Sequence, residues 1–281
     1  MSPKNKLSKV RLNNVHWELY RSTLIPAEPP DRPIFLKKEE CHELFHLTNA
    51  WLIRWPSCWN KNEVSSFWYI IKENYNGFGE FSRNTRSKIR RGLKRNVVRR
   101  IGREELKIQA YPVYEGAFTR YDTSRKLARD EFLWRIEGLN PDQYEFWGVY
   151  QETVLVAYVE IRHIKDVINT SVMKFHPSGL KDYSSYALFY TLIEHYLGKR
   201  KIRYITNGAR SLSHDTNIQG FLIEKFNFRK AYCKLNVCYT GFLGNLVRVA
   251  YPLRSLIGML PIWPFDNLHA LLMQEYIRRN S

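Results

Sequence analysis

The sequence predicts an α+β (α/β) fold built on a mixed sheet with helices on both faces. Three stretches rich in β-branched and aromatic residues, Glu145–Tyr150, Thr153–Arg162 and Val167–Phe175, follow one another with very short connections. Such connections produce an antiparallel meander. A helix over 183–197 then separates the third strand from a fourth, Ile202–Thr206. A crossover through a helix makes these last two strands parallel.

Apolar spacing predicts the remaining elements around this sheet. Residues 114–131 have the mixed charge of a surface helix. Ile218, Phe221 and Phe226 recur at helical spacing, and Tyr232–Tyr239 is rich in strand-forming residues. We therefore expect the order helix, three antiparallel strands, helix, strand, helix, strand between residues 106 and 239.

Three regions are expected along the chain. Residues 1–105 form an N-terminal partial domain with strands at Val15–Arg21 and Phe67–Ile71, and residues 106–242 form the main domain. Residues 243–281 form a C-terminal apolar, helical tail. Its apolar tract is interrupted by arginines and prolines and is too short to span a bilayer. We expect a buried helix and turn there, with a position on a membrane surface as the alternative.

The charge balance points to an anionic partner. The 281 residues carry 44 Lys and Arg against 27 Asp and Glu, a formal net charge of +17. Nucleic acid, an acidic membrane surface or a phosphate-bearing substrate would each suit this excess. Residues 83–103 contain ten of the basic side chains and no acid.

Residues 83–103 are expected to form a basic helix, with Ser82 or Asn84 as its cap and Ile89, Leu93, Val97 and Ile101 as a thin apolar stripe. Basic groups in its first turn oppose the helix dipole, so an anion docking there is one explanation for them. A solvated basic face is the other. The expected anion-binding residues are Arg83, Arg86, Lys88, Arg90 and Arg91.

The cysteine and histidine pattern predicts no metal site. Cys41, Cys58, Cys233 and Cys238 are scattered, and no Cys or His spacing matches a zinc site. Scattered thiols are typical of a reducing, cytoplasmic protein, and the first residues lack the apolar run of a signal peptide. We expect a cytoplasmic location, with a peripheral membrane contact left open.

The element order resembles the GNAT acyltransferase fold. Ser82–Lys94 also resembles the basic segment before the transferase half of Fem-type proteins, the peptidoglycan-bridge aminoacyl transferases. Gly208–Ser213 and Phe226–Cys233 are similar to blocks in uncharacterised bacterial relatives. The resemblance implies that the parallel strands splay apart and admit an acyl donor, with donor phosphates at the start of the helix after the third strand.

One departure leaves the donor open. The GNAT phosphate loop has glycines where this chain has Ser184 and Tyr186, within Lys181–Tyr186. A tyrosine side chain would hinder the close backbone approach that glycine permits. The resemblance therefore implies either acyl-coenzyme A or aminoacyl-tRNA as donor, and no metal.

The resemblance places the donor-binding residues at two loops. They are expected to be Lys181, Ser184, Ser185, Asn207, Gly208, Arg210 and Ser211. Two alternatives stay open: Ser184 and Ser185 could only cap their helix, and Arg210 could be part of a structural ion pair.

Three residues are catalytic candidates in this resemblance. Glu160 could act as a general base or water positioner, Tyr239 could protonate a leaving group, and His176 borders the expected notch. The open alternatives are that Glu160 pairs with a neighbouring arginine and that His176 only completes a hydrogen bond.

The expected function is transfer of an acyl or aminoacyl group to an amine of a cell-envelope or small-molecule acceptor. The alternative is an RNA-binding or anionic-membrane-binding protein on a non-catalytic scaffold of the same fold. The basic helix and the tryptophans that precede it would suit RNA, and tRNA as donor would combine both interpretations.

Overall fold

A computed structural model of the chain describes residues 6–119, 126–211, 217–257 and 265–281. Their strands are β1 (Lys9–Leu12), β2 (Val15–Tyr20), β3 (Thr23–Pro26), β4 (Leu52–Ser57), β5 (Phe67–Lys72), β6 (Val97–Ile101), β7 (Tyr144–Gln151), β8 (Val154–Ile164), β9 (Val167–Phe175), β10 (Tyr204–Ala209) and β11 (Arg229–Tyr239). Their α-helices are α1 (Lys38–Leu47), α2 (Arg83–Arg95), α3 (Arg103–Phe118), α4 (Arg129–Glu137), α5 (Pro177–Lys181), α6 (Ser184–Ile193), α7 (Asn217–Phe226), α8 (Gly241–Ala250), α9 (Arg254–Ile257) and α10 (Phe265–Arg279).

The chain divides into two compact units. Unit 1 comprises Met1–Tyr69, Ala209–Thr216 and Lys230–Ser281, and unit 2 comprises Ile70–Gly208 and Asn217–Arg229. This division differs from the expected boundaries at 105 and 242. The basic segment belongs with the meander in unit 2, because β6 pairs with β7, and the C-terminal tail belongs with the N-terminal strands in unit 1.

The antiparallel meander of unit 2 is confirmed. β6, β7, β8 and β9 pair successively as antiparallel neighbours. Glu152 and Lys165, at the two tight connections, adopt the left-handed conformation with φ of 53° and 57°. Primed turns use this conformation because it matches the twist of the flanking strands.

The parallel pair is also confirmed, and its pairing is short. β10 pairs with β9 through Tyr204–Val167, Ile205–Ile168 and Thr206–Asn169. Beyond Asn169, β9 continues to Phe175 and no described strand pairs with it on that side. The two strands therefore run side by side for three residues and then separate, as the fold resemblance implied.

The basic segment is a shorter helix than expected. α2 begins after Ser82, whose Oγ accepts from the Thr85 amide at 3.2 Å, and it ends at Arg95. Residues 97–101 form β6, so the expected helix over 83–103 and its apolar stripe are wrong. β-branched Val97, Val98 and Ile101 favour a strand, and Leu93 is 41% exposed. The buried face of α2 consists of Thr85, Ile89 and Gly92.

Helices cover both faces of the unit 2 sheet. α3 and α4 pack on one face, where Leu106, Phe132 and Ile136 meet Phe146 and Tyr158 in a buried cluster. On the other face the Trp147 indole donates to the Tyr196 hydroxyl at 3.0 Å, in the π-helical turn that follows α6. The single helix expected over 114–131 is wrong: α3 begins at Arg103 and ends at Phe118, and α4 begins at Arg129. Residues 120–125, within that expected helix, lie outside the described residues.

Unit 1 has its own core. β1, β2 and β3 are antiparallel, β3 and β4 are parallel, and β4 pairs antiparallel with β11. Trp17, Leu24, Leu44 and Ile53 are fully buried in one cluster. The expected strands in this unit are confirmed as β2, β5 and β11, with β5 crossing the division between units in the chain.

Helices α8, α9 and α10 make up most of the described C-terminal tail. None of the helices in the described ranges combines the length and the hydropathy needed to cross a bilayer.

Candidate functional site

A basic cavity of about 400 Å³ lies in unit 2, beside the start of α6. Its lining residues are Arg91, Lys94, Arg95, Lys181 and Tyr183. It unites one residue from the expected anion-binding set, Arg91, with one from the expected donor-binding set, Lys181. Lys181 is the last residue of α5, the helix that follows β9 in the chain, and Tyr183 precedes α6.

A glycine allows α2 to form one wall of this basic cavity. A Cβ at Gly92 would lie 2.6 Å from the Tyr183 carbonyl oxygen and 3.3 Å from the Ala187 side chain. Any larger residue would push α2 away from α6, because a backbone oxygen cannot move aside cheaply. Tyr183 itself adopts the left-handed conformation, with φ of 58°.

Asp182 bonds to residues on several elements around the basic cavity. Its carboxylate forms an ion pair with Arg95 and accepts from the Gln151 amide at 3.1 Å. Its carbonyl oxygen accepts from Asn96 Nδ2 at 2.8 Å. Among the described residues, Arg91, Lys94 and Lys181 have no acidic partner. The cavity therefore offers three uncompensated cations to a ligand, which suits an anion.

Ser184 and Ser185 do not line the basic cavity. Ser184 is fully buried and Ser185 is 9% exposed, because α2 packs over the first turn of α6. Phosphate binding through these serines, as expected from the resemblance, would require α2 to move. Cationic side chains, rather than the amides of a helix N-terminus, face the open space here.

Side chains close the parallel ladder where β9 and β10 separate. Asn207 Nδ2 donates to Thr170 Oγ1 at 2.8 Å, and Thr170 Oγ1 donates to the Thr206 carbonyl oxygen at 3.3 Å. Gly208 has φ of +78°, and its amide donates to Thr206 Oγ1 at 3.0 Å. Asn207 and Gly208 thus shape the base of the separation between the strands.

Arg210 and Ser211 belong to unit 1, whereas the other expected donor-binding residues belong to unit 2. The Arg210 guanidinium stacks on Trp68, 4.5 Å from its ring centroid, and donates to the Ser66 carbonyl oxygen at 3.0 Å. Its Nε also donates to the Ser211 carbonyl oxygen at 3.4 Å. These contacts favour a structural role, through a π stack rather than an ion pair.

Glu160 is held in a buried ion pair. Its side chain is 1% exposed, and its two carboxylate oxygens accept from Arg135 at 2.9 and 2.5 Å. This geometry favours the alternative in which Glu160 pairs with an arginine. Both carboxylate oxygens are therefore engaged by Arg135.

Lys174 is a half-buried cation on β9, past the point where the strands separate. Its Nζ lies 4.7 Å from the Phe118 ring centroid and 5.7 Å from that of Tyr114, both on α3. Burial, and next the nearby Arg135 charge, lower the pKa of Lys174. Lys174 was not singled out by the sequence, because a lysine in a strand usually marks a solvent-facing position.

His176 and Tyr239 are in different units. His176 caps α5 by accepting from the Ser178 amide at 3.3 Å, and its ring packs against α3, where a Cβ at Gly116 would lie 2.2 Å from His176 Cδ2. The Tyr239 hydroxyl donates to Glu275 at 3.0 Å, and burial raises its pKa. Glu160, His176 and Tyr239 therefore do not form one cluster within a unit.

The other expected anion-binding residues lie along α2. Lys88 lies 5.5 Å from the Tyr186 ring centroid, Arg90 lies 5.0 Å from that of Phe78, and Arg86 donates to the Gly79 carbonyl oxygen at 3.4 Å. Arg83 is exposed in the first turn. Lys94, Arg95 and Tyr183, which line the cavity, were missed by the sequence analysis, since no pattern fixes which face of a basic helix adjoins a cavity.

The described residues include no group of His, Cys, Asp and Glu side chains that could hold a metal ion. No protein-family model and no curated protein sequence matches this chain.

Solved structures show what the fold is similar to. FemX matches with a TM-score of 0.53 at 10% identity, over 84% of this chain and 85% of FemX. The C-terminal domain of a putative lysylphosphatidylglycerol synthetase from Agrobacterium fabrum matches with a TM-score of 0.48 at 10% identity, over 84% and 83% of the two chains. L-PGS from Bacillus licheniformis matches with a TM-score of 0.48 at 12% identity, over 94% and 86%. The match to FemX shows that the fold is similar to that of FemX, as the sequence resemblance to Fem-type proteins implied.

Proposed function

We propose that this protein transfers an acyl or aminoacyl group from a phosphate-bearing donor to an amine. The observation that carries the proposal is a cavity with three uncompensated cations, in the same unit in which the pairing of β9 with β10 stops after three residues. A donor carbonyl would enter between the strands while donor phosphates bind Arg91, Lys94 and Lys181. The fold shared with FemX supports the same class of reaction.

The basic cavity favours aminoacyl-tRNA over acyl-coenzyme A as the donor. A pyrophosphate of coenzyme A is suited to a glycine-rich turn at a helix N-terminus, and here α2 covers that turn. Cations continue along α2 from the cavity to Arg83. A row of cationic side chains suits a polyanionic backbone, since each phosphate contact adds counterion release.

Positioning would contribute most of the catalysis. Holding the amine against the carbonyl removes the entropic cost of their encounter, and backbone amides of β9 could stabilise the developing oxyanion. Among the expected catalytic residues, His176 remains the candidate proton acceptor, because it lies directly after β9. Glu160 and Tyr239 are occupied by Arg135 and Glu275.

Binding of labelled aminoacyl-tRNA and acyl-coenzyme A, followed by transfer to amines, tests the proposal. We expect tRNA binding to weaken steeply as salt rises, and Arg91→Gln/Lys94→Gln to reduce the slope of log K against log salt by about 1 for each lost contact. The matched control is Arg129→Gln/Lys38→Gln, which removes the same charge from two other exposed positions.

Equal weakening by both double variants would contradict the cavity assignment. Binding of RNA without any transfer to an amine would favour the second candidate, an RNA-binding protein on a non-catalytic scaffold, which the same row of cations supports. The absence of binding to either donor would overturn the transferase proposal.

A further inference from the structure

An exposed apolar stripe runs along α8 and the helical turns that follow it in unit 1. Its members are Phe242 (75% exposed), Leu246 (40%), Val249 (74%), Leu253 (52%) and Leu256 (62%). They are spaced by four, three, four and three residues. Within α8, at about 100° per residue, this spacing places Phe242, Leu246 and Val249 within an arc of about 60° on one helical face. Leu253 and Leu256 continue the stripe in the 3-10 turn Tyr251–Leu253 and in α9.

The same helix already buries another side. Leu243, Val247 and Ala250 are between 3% and 8% exposed and face the unit 1 interior. A surface helix that buries one face normally carries polar residues on the other. α8 instead has large apolar side chains on both sides, so its outer face has the composition of a contact surface.

The charged residues around the stripe are basic, which favours an anionic partner. Residues 240–257 contain no Asp or Glu, and their two charged residues are Arg248 and Arg254. On the helical projection of α8, Arg248 lies about 120° from the stripe, on the side away from the buried residues. Arg248 is exposed, whereas Arg254 is half-buried and lies 4.6 Å from the Tyr251 ring centroid and 5.7 Å from that of Tyr276 on α10.

A groove beside the stripe is also lined by aromatic and basic side chains. It has a volume of about 400 Å³ and is lined by Lys6, Trp51 and Phe242 among others. Trp51 is 55% exposed. A tryptophan next to a lysine, at the edge of an apolar face, suits the boundary between lipid headgroups and acyl chains.

We infer that this stripe inserts into the surface of a membrane rich in anionic lipid. Apolar side chains would enter the headgroup–acyl boundary while Arg248 and Lys6 contact lipid phosphates. A second copy of the chain is disfavoured, because a symmetric contact would bring these like-charged, acid-free faces together. The inference does not depend on the transferase proposal.

Vesicle flotation of the full chain tests this inference. Vesicles of phosphatidylcholine alone are compared with vesicles that also contain phosphatidylglycerol. We expect co-flotation with the anionic vesicles, and a loss of about tenfold in apparent partitioning for Phe242→Asn/Val249→Asn, whose side chains are exposed and contribute little to the fold. The matched control is Phe35→Asn/Val64→Asn, a phenylalanine and a valine of 86% and 81% exposure outside the stripe.

Three results would overturn the inference. The wild-type chain could fail to float with anionic vesicles. Alternatively, both double variants could float as well as the wild type, which would assign binding to other basic surfaces. A wild-type dimer that Phe242→Asn/Val249→Asn converts to a monomer, without vesicle binding, would show that the stripe joins two copies.

Discussion

Two groups of charges in unit 2 behave in opposite ways. In the basic cavity, Arg91, Lys94 and Lys181 lack acidic partners among the described residues. Under α3 and α4, Arg135 and Glu160 are paired and Glu160 is buried. The first arrangement leaves binding energy for a ligand, whereas the second uses its charges to satisfy each other within the fold. A charged residue on a central strand is thus no sign of a functional site until its partner is known.

The largest expected effect comes from breaking the buried pair. Arg135→Met should lower the free energy of unfolding by about 3 kcal/mol, because it leaves the Glu160 carboxylate buried without its partner. Urea denaturation measures this. Arg135→Met/Glu160→Gln should recover most of the loss, and a double variant as unstable as the single one would show that packing of Arg135, rather than charge, is responsible.

Gly92→Ala tests how tightly the basic cavity is built. The new Cβ would meet the Tyr183 carbonyl oxygen at 2.6 Å, so we expect a loss of about 1–3 kcal/mol in the free energy of unfolding and weaker anion binding. Gly220→Ala is the matched control, since that helical glycine has nothing within 4 Å of an added Cβ. It should stabilise the fold by about 0.5–1 kcal/mol. If both variants behave alike, the wall does not depend on Gly92.

Lys174→Met tests, through the pH dependence of stability, whether a half-buried cation in unit 2 destabilises the fold. Burial lowers the pKa of Lys174 in the folded state, so the unfolded chain holds this proton more tightly. The charged form of buried Lys174 therefore lowers the free energy of unfolding. This destabilisation is complete at pH values below the pKa of Lys174 in the folded state, and it disappears above the ordinary lysine pKa of about 10.4. Lys174→Met should therefore raise the free energy of unfolding by about 1 kcal/mol at neutral pH.

Thermal unfolding of wild type and Lys174→Met at neutral pH and near pH 10 measures this difference. The gain should shrink as the pH rises. A gain that does not change with pH would indicate improved packing rather than removal of a buried charge.

Arg95→Ala should have the smallest effect on stability. The Arg95–Asp182 pair is exposed, with side chains 56% and 35% accessible, so its loss should cost less than about 1 kcal/mol. Anion affinity should change more than stability, because Arg95 lines the cavity. A drop in melting temperature as large as that of Arg135→Met would mean that Arg95 mainly holds the loop at Asp182.

The sequence predicted most of the unit 2 sheet and little of its site. Short connections and β-branched runs identified the meander, and one crossover helix identified the parallel pair, because these signals are local. The helix over 83–103 was wrong because a spacing of four residues at Ile89, Leu93, Val97 and Ile101 does not show where α2 ends. The Arg135–Glu160 pair and the role of Gly92 join residues distant in the chain, which no local pattern records.

Side-chain hydrogen bonds among Thr170, Thr206 and Asn207 stand in for the next rung of the β9–β10 ladder. The backbone pairing of β9 with β10 consequently ends at a fixed residue and does not weaken gradually along the strands. A group that enters between β9 and β10 can therefore go no further than Thr170, Thr206 and Asn207. These three side chains, and not the flexibility of the strands, set the depth of the gap.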